Sequence, residues 1–104
     1  FFHFRRTPDD KNTLLSDVVY AVFEDSRSNV YFGTEKGLTI YYPKTGIFES
    51  YDMDSPGKKR LQGLKIGCFE EDLDGNIWMG FYDNQFAKFN PRTKEFKNYL
   101  LNQN

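Results

Sequence analysis

Apolar residues in this chain gather in short runs broken by polar turn residues. The runs cover residues 18–24, 29–34, 38–42 and 47–51, and then 65–71, 76–81, 86–90 and 95–99. Val, Ile, Tyr, Phe and Trp dominate them, the side chains that suit a pleated, half-buried surface. Each run is therefore a predicted strand. No window carries apolar residues at helical spacing, and even Leu14-Leu15-Ser16-Asp17-Val18-Val19 leads straight into β-branched residues.

The runs form two sets of four. Glu24-Asp25-Ser26-Arg27-Ser28-Asn29-Val30-Tyr31-Phe32-Gly33 returns as Glu71-Asp72-Leu73-Asp74-Gly75-Asn76-Ile77-Trp78-Met79-Gly80, an offset of 47 (71 − 24 = 47). One inserted residue then moves the offset to 48 (91 − 43 = 48), aligning Pro43-Lys44-Thr45-Gly46-Ile47-Phe48 with Pro91-Arg92-Thr93-Lys94-Glu95-Phe96. A period of this size marks an array of supersecondary units that bury their faces only against neighbours. Phe1 and Phe4 fall where Phe48 and Tyr51 stand. Residues 1–13 are thus expected to be the last strand of a preceding unit with its connection, residues 14–60 one unit, and residues 61–104 a second unit with a tail.

Turn chemistry separates the runs. Asp74-Gly75 is a hairpin signal, because Gly75 takes positive φ without a Cβ clash. Ser28 stands there in the first copy, so that turn must either strain or use Asn29. Pro43 and Pro91 open the third turns, where no ladder N–H is needed. Val18, Val19, Ala21, Val22 and Phe23 are nearly continuous, whereas a sheet with one wet face alternates. Near-continuity suggests sheets covered on both faces. Four strands per unit, repeated radially, is the β-propeller plan. The expected fold is all-β: two four-stranded antiparallel blades, plus the outer strand of a preceding blade.

The repeat resembles the two-component regulator propeller family. The resemblance rests on Val19-x-x-Val22-x-Glu24-Asp25 and Ile66-x-x-Phe69-x-Glu71-Asp72, on Val30-Tyr31-Phe32-Gly33 and Ile77-Trp78-Met79-Gly80, and on Gly37-Leu38. The second copy departs from it at Asn84-Gln85-Phe86. The resemblance implies the periplasmic sensor region of a Bacteroides-type hybrid histidine kinase. It further implies an oligosaccharide ligand, and a membrane span outside this chain.

Composition narrows the classes. With 38% hydrophobic and 18% aromatic residues the chain is no disordered linker. A net charge of −1 gives nothing to steer it to nucleic acid or an anionic membrane. The short basic run Lys58-Lys59-Arg60 reads as a solvated loop. No apolar stretch approaches the roughly 18 residues of a membrane helix. The opening at Phe1, without Met or leader, reads as a piece of a longer product or as a mature fragment. Two blades leave apolar faces and strand edges open, so self-association or further blades of the same protein are expected.

Candidate chemistry is sparse. The only histidine is His3 and the only cysteine is Cys68, so neither a nucleophile triad nor a metal-ligand set is expected, and no cofactor. Cys68 takes the place of Ala21 and reads as a small buried apolar residue. Glu24-Asp25 and Glu71-Asp72 look like glycosidase carboxylates, but they recur at one repeat position, whereas hydrolysis needs one asymmetric pair about 5–10 Å apart. They are assigned to the structural motif together with Gly33, Gly75, Trp78 and Gly80. Asp25 and Asp72 are expected to accept turn N–H groups, and Trp78, like its counterpart Tyr31, to pack between blades.

Function needs asymmetry, so residues that break the repeat are the candidate ligand site. Phe81-Tyr82-Asp83-Asn84 replaces Thr34-Glu35-Lys36-Gly37 and holds the insertion. Tyr82 offers an aromatic face, Asp83 and Asn84 offer groups that bind hydroxyls, and Glu35 and Lys36 lie on the equivalent turn. The expected function is a non-catalytic sensor segment detecting an oligosaccharide. A protein-binding scaffold propeller is the alternative. A propeller glycosidase or lyase fragment, with Glu70 or Asp83 as its acid, is the third.

Overall fold

The computed structural model describes residues 2–3, 18–52, 55, 57, 65–82 and 85–100. Nine strands appear among them, and no α-helix: β1 (Phe2–His3), β2 (Val18–Glu24), β3 (Val30–Thr34), β4 (Gly37–Tyr42), β5 (Ile47–Tyr51), β6 (Ile66–Glu71), β7 (Ile77–Phe81), β8 (Gln85–Asn90) and β9 (Glu95–Leu100). β2 to β5 and β6 to β9 are two antiparallel meanders in sequence order. Their bounds match the apolar runs to within a residue.

β1 departs from expectation. It was expected to be the outer strand of a preceding blade, but it pairs antiparallel with β2, Phe2 opposite Val19 and His3 opposite Val18. An edge strand carries unpaired N–H and C=O groups, and any extended segment within reach can satisfy them. The first sheet therefore has five strands.

The two sheets pack face to face around one core. Tyr31, Leu38, Ile40 and Tyr51 come from the first sheet; Ile66, Ile77, Met79, Phe81, Ala87, Phe89 and Phe96 come from the second. In β4, β7 and β8 these residues follow the two-residue period of a strand, so each sheet presents alternate side chains to its neighbour. Tyr31 sits 6.0 Å from Phe69 and 6.4 Å from Phe89, ring centre to ring centre. Gly33 makes the approach possible: a Cβ there would stand 2.8 Å from the Ile66 Cβ.

The near-continuous apolar run of β2 was expected to mark a strand covered on both faces, but Val22 is 45% exposed and only Val19 of the strand is buried, so another cause is at work. The β2–β3 register slips between Val19 and Ala21, and the β6–β7 register slips identically between Ile66 and Cys68. Tyr20 and Gly67 are the bulged residues. A bulge adds one residue to one strand and shifts the alternation beyond it, so the apolar pattern no longer reads with period two.

Candidate functional site

The bulges shape one end of the molecule. Tyr20 and Gly67 lie near the starts of β2 and β6, the end that also carries the β3–β4 and β7–β8 turns. Tyr82 follows β7 there and is 64% exposed. Its ring meets Tyr20 of the other blade edge-on, at 5.5 Å and 75°. The same ring lies over Gly67, where a Cβ would come within 2.5 Å of Cε1. The large–small exchange between Tyr20 and Gly67 thus seats Tyr82 across the junction of the blades. Tyr20 was absent from the sequence-derived site; its signal was the repeat itself, which sets a tyrosine against a glycine at one position.

Glu35 and Lys36 are exposed on the equivalent turn of the first blade. That turn is closed by the buried Thr34, whose Oγ1 donates to the Gly37 carbonyl at 2.9 Å and accepts from the Lys36 N–H at 3.2 Å. Gly37 has a φ of 142°, and a Cβ there would stand 2.4 Å from the Tyr51 carbonyl oxygen, so only glycine fits. Asp83 and Asn84 lie outside the described residues. What is described at this end is the exposed Tyr82 ring against the half-buried Tyr20 ring, with Glu35 and Lys36 exposed on the β3–β4 turn at the same end.

The opposite end is built from the repeated acids. Asp25 Oδ1 accepts from the N–H groups of Arg27 and Asn29, both at 2.9 Å, and Oδ2 accepts from the Tyr31 hydroxyl at 3.1 Å. Asp72 repeats the arrangement: Oδ1 takes Asp74 N–H at 3.0 Å and Asn76 N–H at 2.9 Å, and Oδ2 takes Trp78 Nε1 at 2.9 Å. The hydrogen bond from Trp78 and those from the turn hold the Asp72 carboxyl below the usual range. Ser28 has a φ of 69°, matching the 85° of Gly75. Glu71 reaches across the blades, accepting Ser26 N–H at 2.8 Å and Ser26 Oγ–H at 2.7 Å, while Arg27 donates to the Gly75 carbonyl at 3.2 Å. Glu24 is exposed.

A second polar joint ties the blades. Glu49 Oε1 accepts from Tyr42 OH at 2.8 Å, Tyr51 OH at 3.0 Å and Lys94 Nζ at 2.8 Å. The Lys94 ammonium also donates to the Tyr42 hydroxyl and stands 4.4 Å from the centre of its ring. Burial alone would raise the Glu49 carboxyl, but the hydrogen bonds from Lys94, Tyr42 and Tyr51 outweigh it and hold it low. Burial, and then Asp25 or Glu49, pushes the Tyr31, Tyr42 and Tyr51 hydroxyls well above 10.0.

Trp78 does not share the surroundings of Tyr31. Tyr31 is buried between the blades, whereas Trp78 lies half-buried on the outward face of the second blade, stacked 6.0 Å from Phe86 and 5.9 Å from Tyr99. Cys68, expected to be buried, is exposed on that same face. Its neighbours across the strands are Gly80 and then Phe86, with no sheet over them among the described residues. Among the described residues no group of three or more His, Cys, Asp or Glu is placed to hold a metal ion.

The description "two component regulator propeller" matches residues 13–36. No curated protein matches the chain. Among solved structures, the extracellular domain of a one component system from B. thetaiotaomicron aligns with a TM-score of 0.63 at 19% identity, over 89% of this chain. The chain spans 12% of that structure's length. The likeness establishes the fold: the two sheets are adjacent blades of a partial propeller.

Proposed function

We propose that this chain, whose residues 13–36 carry the two component regulator propeller repeat, is a non-catalytic segment of a sensor ectodomain. It lies on the periplasmic side of the inner membrane, contributes to detection of an oligosaccharide, and relays occupancy to a histidine kinase. The match at residues 13–36 carries this reading. Support comes from the aligned structure, itself an extracellular domain of a one component system, and from the exposed Tyr82 ring set against Tyr20 of the other blade. Flat aromatic faces with hydrogen-bonding neighbours suit sugar rings, whose C–H faces stack and whose hydroxyls need partners.

Two measurements test it. The gene read outward from both ends should show further repeats of 45–50 residues, then a membrane span and a kinase core; an open reading frame lacking them removes the receptor reading. The complete ectodomain is then titrated with a panel of oligosaccharides by calorimetry. Tyr82→Ala is expected to weaken the best binder by roughly tenfold, the loss of one well-placed aromatic contact. Unchanged binding in that variant removes this end of the blades from the ligand site.

A further inference from the structure

The outward face of the second blade is the repeat-equivalent of the first blade's covered face. Two side chains of the second blade insert into the first. Ile66 packs on Gly33, and Lys94 lies on the Tyr42 ring and Glu49. The second blade presents two hollows at the equivalent places. One, of about 270 Å³, is lined by Cys68, Glu70, Trp78, Gly80 and Phe86, with Gly80 in the position of Gly33. The other, of about 370 Å³, is lined by Lys88, Asn90, Thr93, Glu95, Phe96 and Lys97. Shifted back by 48, Lys88, Asn90, Thr93 and Lys97 become Ile40, Tyr42, Thr45 and Glu49, of which Tyr42 and Glu49 hold Lys94.

The charge at that socket is reversed. Glu49, which receives Lys94, is replaced by Lys97, and the apolar Ile40 by Lys88. Lys97 lies 5.7 Å from the Tyr99 ring centre and Lys88 5.5 Å from the Trp78 ring centre, and neither ammonium has an acidic partner within 4.0 Å among the described residues. Glu95 stands on the rim, so two lysines face one carboxylate. The hairpin end changes likewise. Arg27, which donates to a carbonyl of the second blade, is replaced by Asp74, and Ser26 by Leu73.

The geometry points to one occupant: a further blade of the same repeat that carries Asp or Glu where this blade carries Lys94. A lysine in that place would meet Lys97 and Lys88 as three ammonium groups in one hollow, and like charges at contact exclude a partner. A second copy of this chain, docked head to tail, would bring Gly46 there and leave the hollow unfilled. Successive blades are thus matched by alternating charge at one socket, which sets their order around the ring. This rests on the chain being a propeller segment but not on any ligand.

A charge-swap cycle tests it on the chain itself. Gly46 aligns with Lys94 and has a φ of 73°, and Lys94 carries its long side chain at a φ of 63°, so Gly46→Glu and Gly46→Lys share one backbone demand. Head-to-tail association is measured by sedimentation equilibrium at low salt. Gly46→Glu is expected to associate roughly tenfold more tightly than Gly46→Lys, and the order is expected to invert when Lys97→Glu is added to each. Equal association in matched and mismatched pairs overturns the proposal. A reading independent of folding is the residue aligned with Lys94 in the next repeat of the parent gene: Asp or Glu supports it, and any other residue overturns it. Failure of either test leaves oligosaccharide binding untouched, and a ligand-blind ectodomain leaves this cycle untouched.

Discussion

At the scale of single residues, two positions put a number on local strain and close contact. Ser28 holds a left-handed backbone that Gly75 holds freely in the second copy. Cβ crowding there costs an L-residue about 1 kcal/mol, so Ser28→Gly should stabilise the chain by about that amount, read from the urea midpoint at constant slope. The second pair compares one substitution at one repeat position. Gly33→Ala places a methyl 2.8 Å from Ile66 Cβ and 2.9 Å from its carbonyl oxygen, in a packed joint. It should cost about 1–3 kcal/mol. Gly80→Ala meets only the Cys68 sulfur, the tip of an exposed side chain that can turn away, and should cost less than about 0.5 kcal/mol. Equal costs would show that the two faces are covered alike.

Between elements, the polar joint of Glu49, Lys94, Tyr42 and Tyr51 makes stability depend on pH in two directions. Glu49 is held below its ordinary 4.5, so its contribution is complete above that value and is lost as the pH falls below it. The tyrosine hydroxyls are raised, so their contribution is complete below pH 10.0 and is lost as the pH climbs above it, because the unfolded chain ionises first. Thermal melts across pH should therefore fall at both ends, and Tyr42→Phe should shallow the alkaline arm. Lys94→Met should cost about 1 kcal/mol at neutral pH, a modest figure because the pair is about a third exposed (29% and 38%) and solvent screens it. A melt unaffected by Tyr42→Phe above pH 10 would remove the buried hydroxyl from the alkaline transition.

At the scale of the whole molecule, the two faces of the second blade differ among the described residues: one lies against the first blade and the other has no described sheet over it. The joint between the blades has aromatic, aliphatic and charged parts in register, and the outward face of the second blade repeats its layout with Trp78, Phe86 and Tyr99 still uncovered. Apolar surface of this kind draws partners. Gly67→Ala gives a further expectation at the other end. The new methyl displaces the Tyr82 ring, so the proposed oligosaccharide binding should weaken much as in Tyr82→Ala, while thermal stability changes little because the ring is exposed. Loss of stability without loss of binding would assign Tyr82 to packing alone.

The positions of all nine strands were legible from the chain alone, because apolar runs and turn chemistry are local and repeat; the partner of β1 was not. Repetition marked the two units of this chain for the same reason: Glu-Asp before a hairpin and Gly after it recur wherever the unit recurs. The turn donors of Asp25 and Asp72 also follow from local spacing. Three things were decided only by tertiary structure. The slip at Tyr20 and Gly67 depends on the partner strand, and it alone carries Tyr20 to Tyr82. The fates of Tyr31 and Trp78, and of Ala21 and Cys68, diverge although their repeat positions agree, because burial is set by the sheet on the other side and not by the residue. The third is the pairing of Glu49 with Lys94, 45 residues apart. Sequence determines what one blade is; which neighbour stands against it determines what each face of that blade does.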